Sequence, residues 1–512
     1  MSTYEYIIVG AGAAGCVVAG ELSKTGAEVL LIESGSLDSA PTISNPSVWF
    51  YNVGGDLDWK LPIAPVAQLN NRNINMSLGH VLGGGSSINA MVWSRGMARD
   101  YDDWARNGAT GWGFKDVLPV FKAQEDWEGG ANEWRGAGGP IHIRRPKTPH
   151  PTAPAFLEAA KQMGFEILDD VNGPLRPGAG YINMNIAVDG SRVSTARAFI
   201  RPNLERPNLT LLLDTKALKV VFDGDRAVGV EISGADGVRT VRATREVILS
   251  AGTIHTAKLL MLSGVGDSEE LRKLGIPTVA NLRGVGQNLQ DHVLVSGVVY
   301  KYKGKMPDRP ADSDAVEAEV FFSSGLSSHP ADLGLVLEQL PRATPESTAR
   351  FGAPPDEGFT ISPALVQPTS RGRVRLASSN WRDAPIIEGN HLGTDNDLNA
   401  IVRAIEVARE LGHQKALDAV RESEIVPGPK ANTKQDVVDL ARTAAGSYGH
   451  PVGTARMGTD ADAVVDPTLR VRNLRGLRVV DASVMPTSTA GGTNAPAIMI
   501  GGRGALLIKN AR

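Results

Sequence analysis

Tyr6-Ile7-Ile8-Val9-Gly10-Ala11-Gly12-Ala13-Ala14-Gly15 sets an apolar, β-branched run directly before three spaced glycines. Such a run makes a buried parallel strand. The small and apolar residues 16–23 predict a helix, and Val29-Leu30-Leu31-Ile32 a second strand that ends at Glu33. Strand, glycine turn, helix, strand and acid in this order form a Rossmann-like dinucleotide-binding unit. Gly10 permits the tight turn, Gly12 lets the backbone approach a pyrophosphate, and Gly15 lets the helix pack on the strand. Ala13 and Ala14 belong to the same turn, ahead of a helix N-terminus whose free N–H groups and positive dipole end face the phosphates. Glu33, 18 residues past Gly15, stands where a carboxylate accepts hydrogen bonds from a ribose diol. A merely structural glycine turn leaves the flanking strands and the acid unexplained. The motif alone does not separate FAD from NAD.

At 512 residues the chain exceeds one compact core, so two or more domains are expected. A net charge of −3 argues against a nucleic-acid surface or a polybasic membrane patch. The single cysteine, Cys16, excludes an intrachain disulfide and reads as a small buried residue of the first helix. There is no signal-peptide pattern and no run of eighteen apolar residues, so membrane insertion is not expected and a reducing cytoplasm fits best. No Cys/His/Asp cluster has metal-ligand spacing, and no G-x-S-x-G elbow points to a hydrolase.

Residues 36–78 lack helical period and are rich in Pro, Asn, Ser and Trp. A long irregular stretch inside an enzyme is usually functional or wraps a ligand. Its aromatic cluster Trp49-Phe50-Tyr51 reads equally as a packing plug or a substrate-site wall. Gly83-Gly84-Gly85-Ser86-Ser87-Ile88-Asn89 follows, ahead of an apolar segment expected to be helical. Its bare backbone suits a second close approach to the same nucleotide.

The pair of glycine motifs resembles the glucose–methanol–choline (GMC) flavoprotein oxidoreductases, with residues 79–93 similar to their first signature. Residues 252–266 resemble the second, and residues 285–292, 450–458, 479–486 and 493–496 also look like the family, in the expected order. Three positions depart from it: His80 for a common Arg, Ala257 for Pro or Ser, and Gly449 for an aromatic, with Tyr448 one place earlier. The resemblance implies a non-covalently bound FAD. Some members attach FAD to a histidine directly before the loop asparagine; here that position is Ile88, which has no nucleophilic atom. By the same resemblance the cofactor residues extend to Ser34, His80, Ala90, Met91, Val92, Ala217, Ala251, Gly252, Asp481, Ala482, Asn494, Ala495 and Pro496.

The remaining chain predicts helices at 117–126, 153–163 and 395–412. Strands are predicted at 209–213, 218–222, 227–232 and 246–250, with alternating runs at 298–302, 332–340 and 358–367. The Lys-, Pro- and Asp-rich residues 303–314 read as a surface loop. The expected architecture is mixed α/β and α+β. An FAD domain would be built from 1–155, 190–295 and 445–512. A discontinuous antiparallel-sheet substrate domain would take 156–189 and 296–444.

Oxidising an alcohol through a flavin requires a base at the hydroxyl and a carbinol held against flavin N5. The resemblance makes His450 that base and Asn494, 44 residues on, the donor that orients the forming alkoxide. His255 would pack near the adenine side and His292 would close a turn onto the cofactor. The implied activity is oxidation of an alcohol, with a primary alcohol expected, reoxidised by O2 to give H2O2. A dehydrogenase using a quinone or other acceptor, a non-catalytic flavin protein and an NAD enzyme are the alternatives. A monomer or homodimer is expected.

Overall fold

A computed structural model describes residues 2–511. The expected βαβ unit is present: strand Thr3–Val9, helix Ala13–Ser23 and strand Val29–Ile32. Ile7, Ile8 and Leu30 have no solvent exposure, as expected for strands of a parallel sheet that is buried on both faces. The helix begins at Ala13, three residues earlier than predicted, since Gly12 is already its N-cap. Strands Leu209–Leu212, Val29–Ile32, Thr3–Val9 and Gly237–Leu249 lie side by side and parallel. Leu477–Val479 joins the end of the last one, opposite Val247–Leu249. The long strand Gly237–Leu249 also pairs, through its first half, with the antiparallel strand Arg226–Gly234, which in turn pairs with Lys216–Asp223.

The C-terminal helix Asn494–Asn510 lies on the first helix. The approach is close: a Cβ on Gly501 would stand 2.7 Å from the Ala14 carbonyl oxygen. This packing carries Asn494 back to the glycine turn.

A second sheet is antiparallel throughout. Its order is Arg421–Val426, Val298–Tyr302, Gly358–Leu365, Leu333–Glu338, Val316–Phe322, Gly178–Tyr181. It also takes in Val293–Val295 and Ala445–Ser447, which lie just across the expected boundaries at 295 and 445. The stretch 36–78 contains short elements rather than none: helix Pro41–Ser44, a 3-10 turn Pro46–Tyr51, and strands Leu61–Ile63 and Ile74–Met76. The two strands enter a small sheet with Arg373–Arg375 and Ile386–Glu388. Residues 303–310 form an exposed or half-buried loop, whereas Ser313 and Asp314 at its end are buried.

One expected helix is absent. After the short helix Gly85–Ile88 the chain is extended, with Val92 bridging Met184. Asn89 Oδ1 accepts the Met91 N–H at 3.0 Å, and this local bond competes with helix continuation. Among the described residues no helix is long and apolar enough to cross a membrane.

Candidate active site

The parallel strands end together on one cavity of about 890 Å³. Val9-Gly10, Ile32-Glu33 and Ser250-Ala251-Gly252 form its floor, as expected at the carboxyl ends of a parallel sheet. The glycines differ in their reasons. A Cβ on Gly15 would lie 1.9 Å from the Gly10 carbonyl oxygen, so that glycine serves packing. Gly12 has φ −79°, open to any residue, and a Cβ there meets no protein atom within 4 Å. The protein's own packing therefore does not demand glycine at 12, whereas a group lying against this backbone does.

The second glycine loop completes the cradle. Gly83 N–H donates to the Ala11 carbonyl at 2.7 Å, and a Cβ on Gly84 would reach 2.8 Å from Gly12 Cα. Ser86 Oγ holds the loop by donating to the Gly83 carbonyl at 2.6 Å. Glu33 accepts Ala11 N–H on one oxygen and Gly35 N–H on the other, both at 2.8 Å. Burial pushes its carboxyl upward and these N–H bonds pull it back. The Thr215 N–H donates to the Glu33 carbonyl at 2.9 Å, which places Lys216 beside it. Lys216, Lys258, Arg382, Trp59 and Trp381 make this end of the cavity cationic and aromatic. A dinucleotide with an anionic diphosphate fits these walls.

Gly10, Gly12, Ala13, Ala14, Glu33, Ser34, Gly84, Gly85, Asn89, Ala90, Val92, Ala217, Ala251, Gly252, Asp481, Ala482 and Asn494 all line the cavity. Gly15, His80, Gly83, Ser86, Met91, Ala495 and Pro496 stand behind its wall. His80 stacks on Trp59 at 3.8 Å, so the tryptophan rather than the histidine meets the cavity. Met91 is buried among Trp49, Ile182 and Met184. Ala495 and Pro496 are buried in the first turn of the C-terminal helix. Trp49 is a wall residue, its Nε1–H donating to the Asp314 carbonyl at 2.6 Å, whereas Tyr51 is exposed. Asp481 accepts from Gly252 N–H at 3.0 Å and from Thr256 Oγ1 at 2.6 Å, which clamps helix Gly252–Leu262 to the C-terminal segment.

His450 lies in the wall at the other end. Its loop is fixed on helix Gly252–Leu262, with Thr253 Oγ1 donating to the Pro451 carbonyl at 2.6 Å. Asp291 Oδ1 accepts the His450 N–H at 2.9 Å, and Oδ2 accepts from Ser447 Oγ and pairs with His391 Nε2 at 3.0 Å. Although burial opposes it, these partners hold the Asp291 carboxyl below its ordinary value. The His450 ring stacks on Tyr448 at 4.4 Å.

His292 was expected to close a turn onto the cofactor. Instead it stands behind His450, with the two Nδ1 atoms 3.0 Å apart. Burial lowers His292 to about 3 and His450 to about 4, so both rings are neutral at pH 7. One Nδ1 must then donate to the other. Among the described residues His292 Nε2 has no hydrogen-bond partner of normal geometry, while the nearby Thr489 and Val366 carbonyls favour a proton on that ring. A proton on His292 Nε2 makes its Nδ1 the acceptor, so His450 donates from Nδ1 and keeps a lone pair on Nε2. That nitrogen lies 3.9 Å from where a Gly492 Cβ would stand. Asn494 Nδ2 is buried without a partner. A base lone pair and an amide donor thus meet the same cavity. Sequence reading missed His292 as a partner, though Asp291-His292 lay inside a recognised motif. It missed Glu319 and Glu338 of the same cavity altogether, since nothing local distinguishes them from surface acids.

A dinucleotide cradle with a histidine–asparagine end defines a cofactor-dependent oxidoreductase. Residues 4–294 and 368–501 match two family models, both described as GMC oxidoreductase. The chain belongs to the GMC oxidoreductase family, and it is an FAD-dependent oxidoreductase acting on alcohols. It is 38% identical to mitochondrial choline dehydrogenase of Homo sapiens over 533 residues, covering 99% of this chain and 90% of that protein. Its fold matches pyridoxine 4-oxidase from Mesorbium loti with a TM-score of 0.93 and 31% identity, over 99% of each chain. Formate oxidase of Aspergillus oryzae, whose structure concerns FAD modification, matches at 0.90 and 26% identity, over 100% of this chain and 99% of that one.

Proposed function

We propose that the protein oxidises a primary alcohol to the aldehyde, with His450 Nε2 taking the hydroxyl proton and Asn494 Nδ2 donating to the alkoxide oxygen as it forms. The observation that carries this reading is that both groups line one cavity while the neighbours of each leave those atoms free. Bound FAD supplies the acceptor for the hydride of the carbinol carbon. The protein's own share is to hold that carbon in place, exclude water and receive the proton at a ring that Asp291, Tyr448 and His292 keep oriented.

The Gly10–Gly15 turn and residues 83–85 would hold the diphosphate, and Glu33 the ribose. Ile88 lines the cavity but offers no nucleophile, which supports non-covalent binding. The cofactor part would comprise 1–155, 190–295 and 445–512, and the substrate part 156–189 and 296–444. Molecular oxygen is the proposed acceptor, giving H2O2; a quinone is the second reading, since choline dehydrogenase is among the relatives. The reading is completed by a monomer or homodimer in the cytoplasm.

The test is anaerobic mixing with a panel of primary alcohols. A substrate bleaches the flavin, and readmitted air restores the colour with stoichiometric peroxide. Bleaching that persists in air but is reversed by a quinone assigns the second acceptor, and no bleaching by any alcohol removes the reading.

A further inference from the structure

Arg192 is 2% exposed and makes no ion pair among the described residues. Its guanidinium instead reaches two segments beside the cofactor cradle. Nε donates to the Ile43 carbonyl at 2.7 Å. Nη1 donates to Asn89 Oδ1 at 2.7 Å and to the Ser86 carbonyl at 3.3 Å. Nη2 is buried without a partner. Burial lowers Arg192 to about 9, which leaves it charged at pH 7. Burial also pushes the nearby Asp314 carboxyl well above the carboxylate range, so that acid is neutral and does not cancel the cation. An uncompensated buried charge is unfavourable, and a neutral donor would tie the same carbonyls together more cheaply. Holding the loop therefore does not account for a cation at this place.

Asn89 shows what the cation acts on. Its Oδ1 accepts twice, from Arg192 Nη1 and from the Met91 N–H at 3.0 Å. Met91 has φ +55°, a left-handed conformation uncommon outside glycine, and this bond helps to hold it. With the oxygen engaged on both sides the amide cannot flip. Its Nδ2 makes no hydrogen bond among the described residues, and Asn89 lines the cavity. The chain leaves the glycine cradle at Gly85 and lines the cavity again at Ile88, Asn89, Ala90 and Val92, beyond the residues proposed for the diphosphate. A guanidinium on the amide oxygen draws charge from the amide and makes Nδ2–H a stronger donor.

We propose that Arg192 is a positioning residue for the cofactor: it locks the Asn89 amide and strengthens its N–H as a donor to the FAD ring system, which raises the electron affinity of that ring. This rests on FAD lying in this cavity and not on which alcohol is oxidised. Reduction adds negative charge to the ring, and a hydrogen-bond donor backed by a cation favours it.

The midpoint potential of the bound flavin, measured on the FAD holoenzyme by equilibration with reference dyes, reads this without any substrate. Arg192→Met and Asn89→Ala should each move the reduction equilibrium at least about tenfold toward the oxidised form, about 30 mV for two electrons. The double variant should move it no further than Asn89→Ala alone, since Arg192 acts through that amide. Arg192→Lys keeps the charge but not the planar fork, and should show a smaller shift in the same direction. A merely structural Arg192 would lower the melting temperature and leave the potential unchanged, and that result overturns the proposal. So does a double variant whose shift is the sum of the two, or an Asn89→Ala holoenzyme with an unchanged potential. If Arg192→Met does not fold, Arg192→Lys carries the same cycle. A shift that vanishes in the Asn89→Ala background supports the proposal, and no shift, or one that persists there, overturns it. Gly12→Val keeps the two failures apart: a full flavin complement in that variant removes FAD from this cradle, whereas flavin loss there with no Arg192 effect removes only the role of Arg192.

Discussion

In its proposed role His450 serves as a base only in one tautomer, the one in which its Nδ1 donates to His292 Nδ1. Replacing it with alanine should leave FAD content near normal and lower the rate of flavin bleaching under nitrogen by roughly 10²–10⁴-fold, the usual share of general base catalysis. His292→Leu tests the positioning: the His450 Nδ1–H would lose its acceptor, at a cost of about 1–3 kcal/mol, or roughly 5–150-fold in rate. His292→Asn, which offers a carbonyl acceptor, should recover part of that loss, whereas a purely structural role would give no such rescue. Because burial holds His450 at about 4, the acid limb of kcat/KM should fall near pH 4 rather than at the 6.5 of an ordinary histidine.

At the scale of elements, the first glycine turn separates folding from cofactor binding. Gly12→Val enters open space in the protein itself, so the variant should fold with a melting profile close to that of cofactor-stripped protein and contain little or no flavin. Gly15→Val meets the Gly10 carbonyl and should fail to fold stably. Absorbance at flavin wavelengths beside circular dichroism distinguishes the two outcomes, and a full flavin complement in Gly12→Val would remove the turn from the phosphate site. The second loop makes a complementary prediction. With Ile88 at the cavity and His80 stacked against Trp59, acid precipitation should release all the flavin into the supernatant, leaving no fluorescence on the denatured chain.

For the molecule as a whole, buried histidines set the acid limit. His255 and His292 are lowered to about 3 and His450 to about 4, first of all by burial. Each stays neutral when folded but takes up a proton near pH 6.5 once unfolded. The unfolded state therefore binds more protons below that pH, and stability falls as pH falls, by at most about 1.4 kcal/mol per pH unit for each ring. His329 acts in the opposite sense. Despite burial, Asp100 raises it, so its contribution is present in acid and lost as pH rises. Buried carboxyls held up by desolvation, Glu33, Glu319 and Asp481 among them, act in the same sense as His329, so the test is a difference: the urea midpoint of His292→Leu should fall less, or rise more, between pH 6.5 and pH 4.5 than that of the unmutated protein. The same pH dependence in the variant and the unmutated protein would show that this ring is not buried neutral.

The family and the cofactor class were legible along the chain, and so was the histidine proposed as the base. A glycine turn, a strand and an acid act over a few residues of backbone, and His450 sits in a local motif. The periodicity of residues 298–302, 332–340 and 358–367 likewise announced antiparallel strands, because alternation is a property of each strand by itself. Two local readings failed for local reasons: Gly12 caps a helix earlier than its apolar run begins, and Asn89 captures a backbone N–H that a helix would have used. What only the tertiary structure decided was which side chains face one another across distant segments. His292 and His450 meet because Val293–Val295 pairs with Ala445–Ser447. Glu319 lies in the same cavity because sheet register points that acid inward, away from water and from every partner. Its chemistry is set by desolvation, a property of the surrounding volume that no stretch of the chain encodes alone.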